Sequence, residues 1–240
     1  MNDNNVEFAC MTGRDTRELV PVNGQCIHRC VRPDWMALRR SAADAGFDLV
    51  AISAYRSFER QLRIWNEKAR AERAVLNDAG EALDISALAP RDQLHAILRF
   101  SALPGASRHH WGTDVDVIDA SATPDNYQVQ LVEAECCANG PFAPLHAWLD
   151  ERINSHRAYG FYRPYIAQKV YGEGIAAEPW HLSHRPVAQR FEILCSYQNM
   201  LAFYSALQDL ELKTVLLENF EQIYRDYICA DSSAQNPVSV

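Results

Sequence analysis

The segment SRHHWGTDVDV, Ser107 to Val117, places two adjacent histidines ahead of a glycine and two aspartates one residue apart. Of the chain's eight histidines, only His109 is followed seven positions later by an aspartate, Asp116; of its glutamates, only Glu178 is followed three positions later by a histidine, His181. Two neutral imidazoles and a carboxylate form a three-ligand set suited to catalytic zinc, with the fourth tetrahedral position left to water. A further carboxylate beside such an ion can serve as general base. Spacing alone favours a plainer arrangement, in which His109 caps a turn, His181 and Trp180 are core or interface residues, and the aspartates decorate an exposed strand.

The elements around these residues decide whether they meet. DVDVIDA, starting at Asp114, alternates in strand fashion, so Asp114 and Asp116 share one face and Val115 and Val117 the other. In a regular strand residues three apart point to opposite faces, so Glu178 and His181 converge only if the chain turns between them. Pro179 bars Glu178 from a helix and favours an irregular entry into a strand at EPWHLSH. Upstream, RPDWMALRRSAADAG reads as a helix with Pro33 and Asp34 near its start and Gly46 at its end, followed by a strand at FDLVAIS. FERQLRIWNEKARAERAVL then reads as a helix whose Phe58, Leu62 and Trp65 share a face, with Ser57 as N-cap. Arg56 thereby falls at a strand-to-helix junction, where fixed backbone can present a side chain to a cleft. NDAGEALD reads as a loop, PRDQLHAILRFSAL as a helix stopped by Pro104 and Gly105, APLHAWLDERINSHRAYG as a helix and FYRPY as a strand. From Pro186 to Ala230, apolar residues at helical spacing predict two packing helices, and the tail DSSAQNPVSV is expected to be disordered.

The 240-residue chain is 48% hydrophobic, enough for one sizeable core, and a single domain over residues 1–230 is expected. Its formal net charge is −8 and its basic residues are scattered, which argues against a nucleic-acid partner. No segment reaches the roughly 18 unbroken apolar residues of a membrane span, and the N-terminal stretch lacks the basic head and apolar run of a secretory leader. Seven cysteines, including the adjacent pair Cys136 and Cys137, exclude a complete set of internal disulfides and lead to the expectation of reduced thiols in a cytoplasm. Cys26 and Cys30 bracket His28 in CIHRC and could form half of a zinc site, but no second pair of suitably spaced ligands accompanies them, so ordinary buried thiols are the simpler reading.

Three segments in order carry a family resemblance. SAYRSFERQ (Ser53 to Gln61) resembles the Ser-x-Tyr-Arg-Ser segment of VanY-type D-alanyl-D-alanine carboxypeptidases, with its glutamine five residues beyond the arginine. SRHHWGTDVD (Ser107 to Asp116) resembles their Ser-x-His-x-x-Gly-x-x-x-Asp, and EPWHLSH (Glu178 to His184) their Glu-Pro-Trp-His, preceded by YGFYRPY. The resemblance covers about residues 33–184. It implies an α+β fold of the hedgehog/DD-peptidase type, a small mostly antiparallel sheet flanked by helices, with additional C-terminal helices over 186–230. It also implies one zinc ion held by His109, Asp116 and His181, with Glu178 as catalytic base and Arg56 as the cation stabilising the transition state. Ser107 and Gln61 match residues near the bound peptide's terminus, while Trp180 either walls the cleft or packs in the core.

The implied activity is removal of a terminal D-amino acid, from D-Ala-D-Ala or an L,D bond, in peptidoglycan-type peptides. Zinc lowers the pKa of bound water toward about 7 and polarises the scissile carbonyl. The alternatives are an endopeptidase or D,D-dipeptidase of the same fold, or a non-catalytic zinc-containing binding module. One position departs from the family pattern: Asp114 stands where alanine is usual. Its carboxylate is expected to orient a ligand from behind or to bind a substrate amine, the remaining option being solvent. His110 is expected not to ligate. The C-terminal helices either cover the sheet or present a surface to a second copy. Enzymes that trim mature wall act outside the membrane, so a cytoplasmic chain implies a wall precursor or recycled peptide as substrate, unless a leader is missing or export is non-classical.

Overall fold

The computed structural model describes residues 3–166 and 174–229; the expected disordered tail from Asp231 lies outside them. Helix α1 (Asp3–Met11) leads into a hairpin of β1 (Leu19–Val22) and β2 (Gln25–His28), turned at Asn23 and Gly24, both with positive φ. Helix α2 (Arg32–Asp44) buries Trp35, Leu38 and Ala42 along one stripe and ends just before Gly46, whose φ of 91° reverses the chain into β3 (Leu49–Ser53). Helix α3 (Phe58–Ala69) starts as expected at Ser57, whose Oγ accepts the Arg60 N–H at 3.2 Å. It stops seven residues before the expected Leu76, because Ala71 enters the left-handed region and Leu76 instead bridges to Ala82.

Helix α4 (Pro90–Leu98) is also shorter than its periodicity suggests; the Ala102 carbonyl beyond it is taken by the side chain of Gln61. After β4 (Asp114–Asp119) come the short α5 (Glu133–Cys136), α6 (Ala143–Asn154), β5 (Phe161–Tyr162) and β6 (His181–His184). The main sheet is antiparallel with order β3-β4-β6-β5, so β4 is internal and all six of its residues are buried.

The C-terminal region forms four helices instead of the expected two: α7 (Arg185–Leu194), α8 (Tyr197–Ala206), α9 (Lys213–Glu218) and α10 (Phe220–Ile223), the last running into a π-helical turn over Tyr224–Ile228. The breaks have local causes. Ser196 caps a new helix by accepting the Asn199 N–H at 3.3 Å, and Leu212 adopts a φ of 61°. Phe191, Phe203, Tyr204, Leu216 and Ile223 from these helices join the same apolar cluster as Trp65, Val115 and Leu182. These helices therefore cover the core, one of the two roles open to them from sequence. Among the described residues, no helix is long and apolar enough to cross a membrane.

Gly112 fixes how the hairpin meets the centre of the fold. Its φ is 66°, its carbonyl accepts the His28 N–H at 2.8 Å, and an added Cβ would lie 2.6 Å from Leu19 Cδ2 and 2.8 Å from the His28 nitrogen. Gly112→Ala is expected to destabilise the protein by about 2 kcal/mol or more, combining the left-handed penalty with overlap against backbone, as measured by urea denaturation.

Two buried histidines away from the central cluster set an acid limit. Burial pushes His28 down to about 4 and His146 down to about 3, so both are neutral in the native state where the unfolded chain begins to protonate them. The unfolded state then binds more protons than the native one as pH drops below about 6.5. Stability is accordingly expected to be full above that pH and to fall as pH is lowered toward 4. Urea midpoints measured at stepped pH check this, and replacing either imidazole should flatten the fall.

Candidate metal centre

Strand register brings the acidic and imidazole side chains together. β4 pairs with β6 so that Asp114 faces Ser183 and Asp116 faces His181, while β3 places Ser53 against Asp116 on the other side, after a bulge. Directly opposed residues share a face of the sheet. Asp114, Asp116, His181 and Ser183 thus stand together, while Val115, Val117 and Leu182 fill the core on the reverse face. Glu178 reaches the cluster because Pro179 and Trp180 form a turn, closed by the His181 N–H donating to the Glu178 carbonyl at 3.0 Å.

His109 arrives from a 3-10 turn over Arg108–Trp111, anchored by the Arg56 N–H donating to its carbonyl at 3.0 Å. Its Nδ1 lies 2.7 Å from the Ala54 carbonyl, which can only accept, so Nδ1 carries the proton and Nε2 is presented toward Asp116 Oδ2 at 3.3 Å. His181 is arranged the other way. Its Nε2 lies 2.8 Å from Asp114 Oδ1, and its Nδ1 faces Asp116 Oδ1 at 3.3 Å and Glu178 Oε2 at 3.2 Å.

One ligand atom each from His109, Asp116 and His181 falls within 4.8 Å of the others, and all three residues are buried. Asp116 Oδ1 and His181 Nδ1 are buried without a hydrogen-bond partner. Orphaned polar atoms of this kind are costly unless an unseen water or ion satisfies them. Two imidazole nitrogens and a carboxylate oxygen fit a divalent ion such as zinc. Burial opposes the charge on Asp116, yet His109 and His181 outweigh it and hold its pKa well below the usual carboxylate range. For His181, burial is overcome by the carboxylates around its ring, Asp114 hydrogen-bonded to Nε2 and Asp116 and Glu178 facing Nδ1, which push its pKa well up. No other group of described residues gathers ligands in this way; Cys26 and Cys30 are exposed, and His28 Nδ1 accepts the Cys30 N–H at 3.2 Å.

The neighbouring residues take distinct places. His110 has no lone pair left for a metal: its Nδ1 bonds the Arg56 carbonyl at 2.6 Å and its Nε2 accepts the Gly105 N–H at 3.0 Å. Arg56 donates from Nη1 to Gln61 Oε1 at 2.8 Å, and Gln61 is fixed in turn by donating to the Ala102 carbonyl at 2.7 Å. Burial lowers the Arg56 pKa against the pull of Asp116 and Glu178. Gln61 is 0% exposed, so its contacts here are internal, to Arg56 and the Ala102 carbonyl. Ser107 and Trp180 are buried, Ser107 at the start of the 3-10 turn and Trp180 within the turn joining Glu178 to His181.

Asp114 is 0% exposed and every contact it makes is internal. Its Oδ1 accepts from Arg108 Nε at 2.9 Å as well as from His181, and its Oδ2 accepts from Thr113 Oγ1 at 2.5 Å and Ser183 Oγ at 3.1 Å. No face of it is left for a substrate amine or for solvent, which corrects its placement among the substrate-binding residues. Arg108, the variable position of the histidine motif, is the residue that sequence reasoning missed. It is 6% exposed and its guanidinium carbon lies 4.6 Å from the centre of the Trp111 ring. Nothing in the spacing marks it, but an aspartate in place of a small residue at a buried position calls for a nearby cation.

The fold is similar to that of VanYB, solved in complex with D-alanine-D-alanine, with a TM-score of 0.50 and 24% identity over 74% of this chain and 81% of that one. The family profile described as VanY: D-alanyl-D-alanine carboxypeptidase matches residues 25–187, reaching further upstream than the motifs, as far as β2. The chain belongs to this VanY family. A D-alanyl-D-alanine carboxypeptidase of Enterococcus faecalis is 29% identical over 160 residues, covering 66% of this chain and 48% of that protein. An uncharacterized protein of Haemophilus influenzae is 51% identical over 69 residues, 29% of this chain and 47% of that one, so the matches span about half the length of these two relatives.

The convergence of three donors predicts one zinc ion per chain after reconstitution, measured by elemental analysis following gel filtration. Alanine at His109, Asp116 or His181 is expected to abolish stoichiometric binding, whereas His110→Ala should retain it at some cost in stability.

Proposed function

We propose that this chain is a zinc-dependent carboxypeptidase that hydrolyses the peptide bond before a terminal D-amino acid, of D-Ala-D-Ala or L,D type, in peptidoglycan-derived peptides or precursors. The observation that carries this reading is the placement of Glu178 Oε2 3.2 Å from His181 Nδ1, at the edge of the converging donors, with Arg56 held nearby by Gln61. His109, Asp116 and His181 would hold the ion, which supplies a Lewis acid for the scissile carbonyl and for water.

The side chain of Glu178 is 15% exposed, enough to meet water, and its carboxylate accepts the proton as the carbonyl is attacked. The same carboxyl then returns that proton to the departing amine as the carbon–nitrogen bond breaks, so one water is consumed and the glutamate is restored. Arg56 keeps its positive charge throughout and stabilises the negative charge that develops on the carbonyl oxygen. Gln61 restrains the guanidinium by accepting from it, and Ser107, matched to the family's motif, is assigned by that match a role near the peptide's terminus. A purely structural metal requires neither a base nor an oxyanion partner, so the joint presence of Glu178 and Arg56 favours catalysis over a binding module. The D-alanine-D-alanine bound to VanYB supports the substrate class for this family member. The odd cysteine count favours a reducing compartment and hence a precursor or recycled peptide.

Zinc-loaded protein incubated with muropeptides ending in D-Ala-D-Ala, and separately with tetrapeptides carrying an L,D terminal bond, is expected to release a free D-amino acid from at least one panel. Glu178→Gln should lower kcat by about 10²–10⁴-fold and Arg56→Ala by about 10²–10³-fold, both with metal content retained. No release from either panel, with Glu178→Gln indistinguishable from wild type, would overturn the reading.

A further inference from the structure

We infer that Asp114 and Arg108 form a positioning pair that holds His181 in its metal-binding tautomer and tunes how tightly the centre holds its ion. The inference rests on the reading of His109, Asp116 and His181 as a metal site, and it concerns two residues that the motif resemblance does not account for. Asp114 replaces the family's usual alanine, and Arg108 occupies a variable position of the same motif.

A neutral imidazole carries one proton, and the nitrogen bearing it has no lone pair for a metal. The Asp114 carboxylate can only accept, so its hydrogen bond with His181 Nε2 at 2.8 Å keeps a proton on Nε2, and Nδ1, which has no hydrogen-bond partner, is the nitrogen from which a metal would displace the other proton. Nδ1 is the nitrogen that faces Asp116 and Glu178. A carboxylate on the far nitrogen of a ligating histidine both fixes the ring and raises its donor strength. Such a carboxylate is useful only if it is itself immobile, and here both of its oxygens are clamped: Oδ1 by Arg108, Oδ2 by Thr113 and Ser183.

A lone buried carboxylate would be strongly unfavourable, and Arg108 offsets that charge. Arg108 is fixed by further contacts from other elements. Its Nη2 donates to the Tyr162 hydroxyl of β5 at 2.9 Å and to Ser183 Oγ of β6 at 2.7 Å, and its Nη1 to Glu192 Oε1 of α7 at 2.9 Å. The first helix after the motif-bearing region is thereby tied through Arg108 and Asp114 to His181.

Zinc affinity, read by competition with a chromogenic chelator, tests this in wild type, Asp114→Asn and the double variant Asp114→Ala with Arg108→Met. The double variant removes both charges together and so leaves no uncompensated ion. Its affinity is expected to fall about 10–100-fold, with Asp114→Asn, which keeps an acceptor without the charge, in between. Long-range proton–nitrogen correlation spectra of the zinc-loaded wild type should show His181 protonated at Nε2, a readout independent of how any variant folds. Wild-type affinity in the folded double variant, or protonation of His181 at Nδ1, would overturn the inference alone. Failure of the wild type to bind zinc would overturn the metal reading along with it.

Discussion

The pairing of Asp116 with His181 across β4 and β6 is the constraint on which the rest of the centre depends. Side chains in a strand alternate between faces, so a slip of one residue in this register would send Asp116 into the apolar core and expose Val115 or Val117 to the polar cluster. The register is defended from both sides. On the reverse face Val115, Val117 and Leu182 are fully buried, and on the near face Asp114 meets Ser183 in the same ladder. The hydrophobic core and the polar cluster therefore specify the same alignment, and the position of the donors follows from folding without a dedicated scaffold.

The remaining members of the centre are delivered by turns whose geometry is fixed locally. Gly112 in its left-handed conformation lets the 3-10 turn bearing His109 run straight into β4, and the turn at Pro179 and Trp180 brings Glu178 round to His181. Arg56 leaves the end of β3 just before α3, and its backbone is stitched to that same 3-10 turn by bonds to His109 and His110. These contacts cross between segments more than fifty residues apart, so the strand-to-helix junction and the histidine turn move as one unit. Their charges are arranged in two layers. Asp116 and Glu178 face the space between the donors, whereas Asp114 and Arg108 neutralise one another behind it, leaving an excess of negative charge toward the cluster that suits a cation.

Much of this was legible in the sequence where local chemistry and tertiary placement agree. The alternation of DVDVIDA, the cap at Ser57, the glycine after α2 and the proline-induced turn before His181 each have a local cause, and each appears in the structure. The β1–β2 hairpin carried its own signal, the Asn23-Gly24 pair between two short strands, whose positive φ angles suit a tight hairpin turn, but strands of four residues give little periodicity to read. The splitting of the C-terminal region into four helices depends on Leu212 entering an unfavourable backbone region, which its side chain does not announce. Arg108 and the internal role of Gln61 were invisible for a different reason: both are polar residues whose burial is set by partners distant in sequence, Glu192 for the first and Ala102 for the second.

That last class of residue explains why the C-terminal helices are more than a cover. A helix that only shields apolar surface needs an apolar stripe, and α7 has one in Val187, Ala188 and Phe191. Its Glu192 nonetheless meets a buried guanidinium one residue from His109, while Phe191 stacks on Trp111 in the same turn with ring centroids 5.7 Å apart. A buried arginine is tolerated only where its charge is matched and its donors are used, so displacing α7 would remove one of the carboxylates that make Arg108 acceptable inside the protein. Arg108 would then draw more heavily on Asp114, the acceptor it shares with His181. The packing of the C-terminal helices and the orientation of a donor imidazole are in this way parts of one electrostatic balance, which is why a buried aspartate two residues before Asp116 requires compensation reaching beyond the segment that carries the motifs.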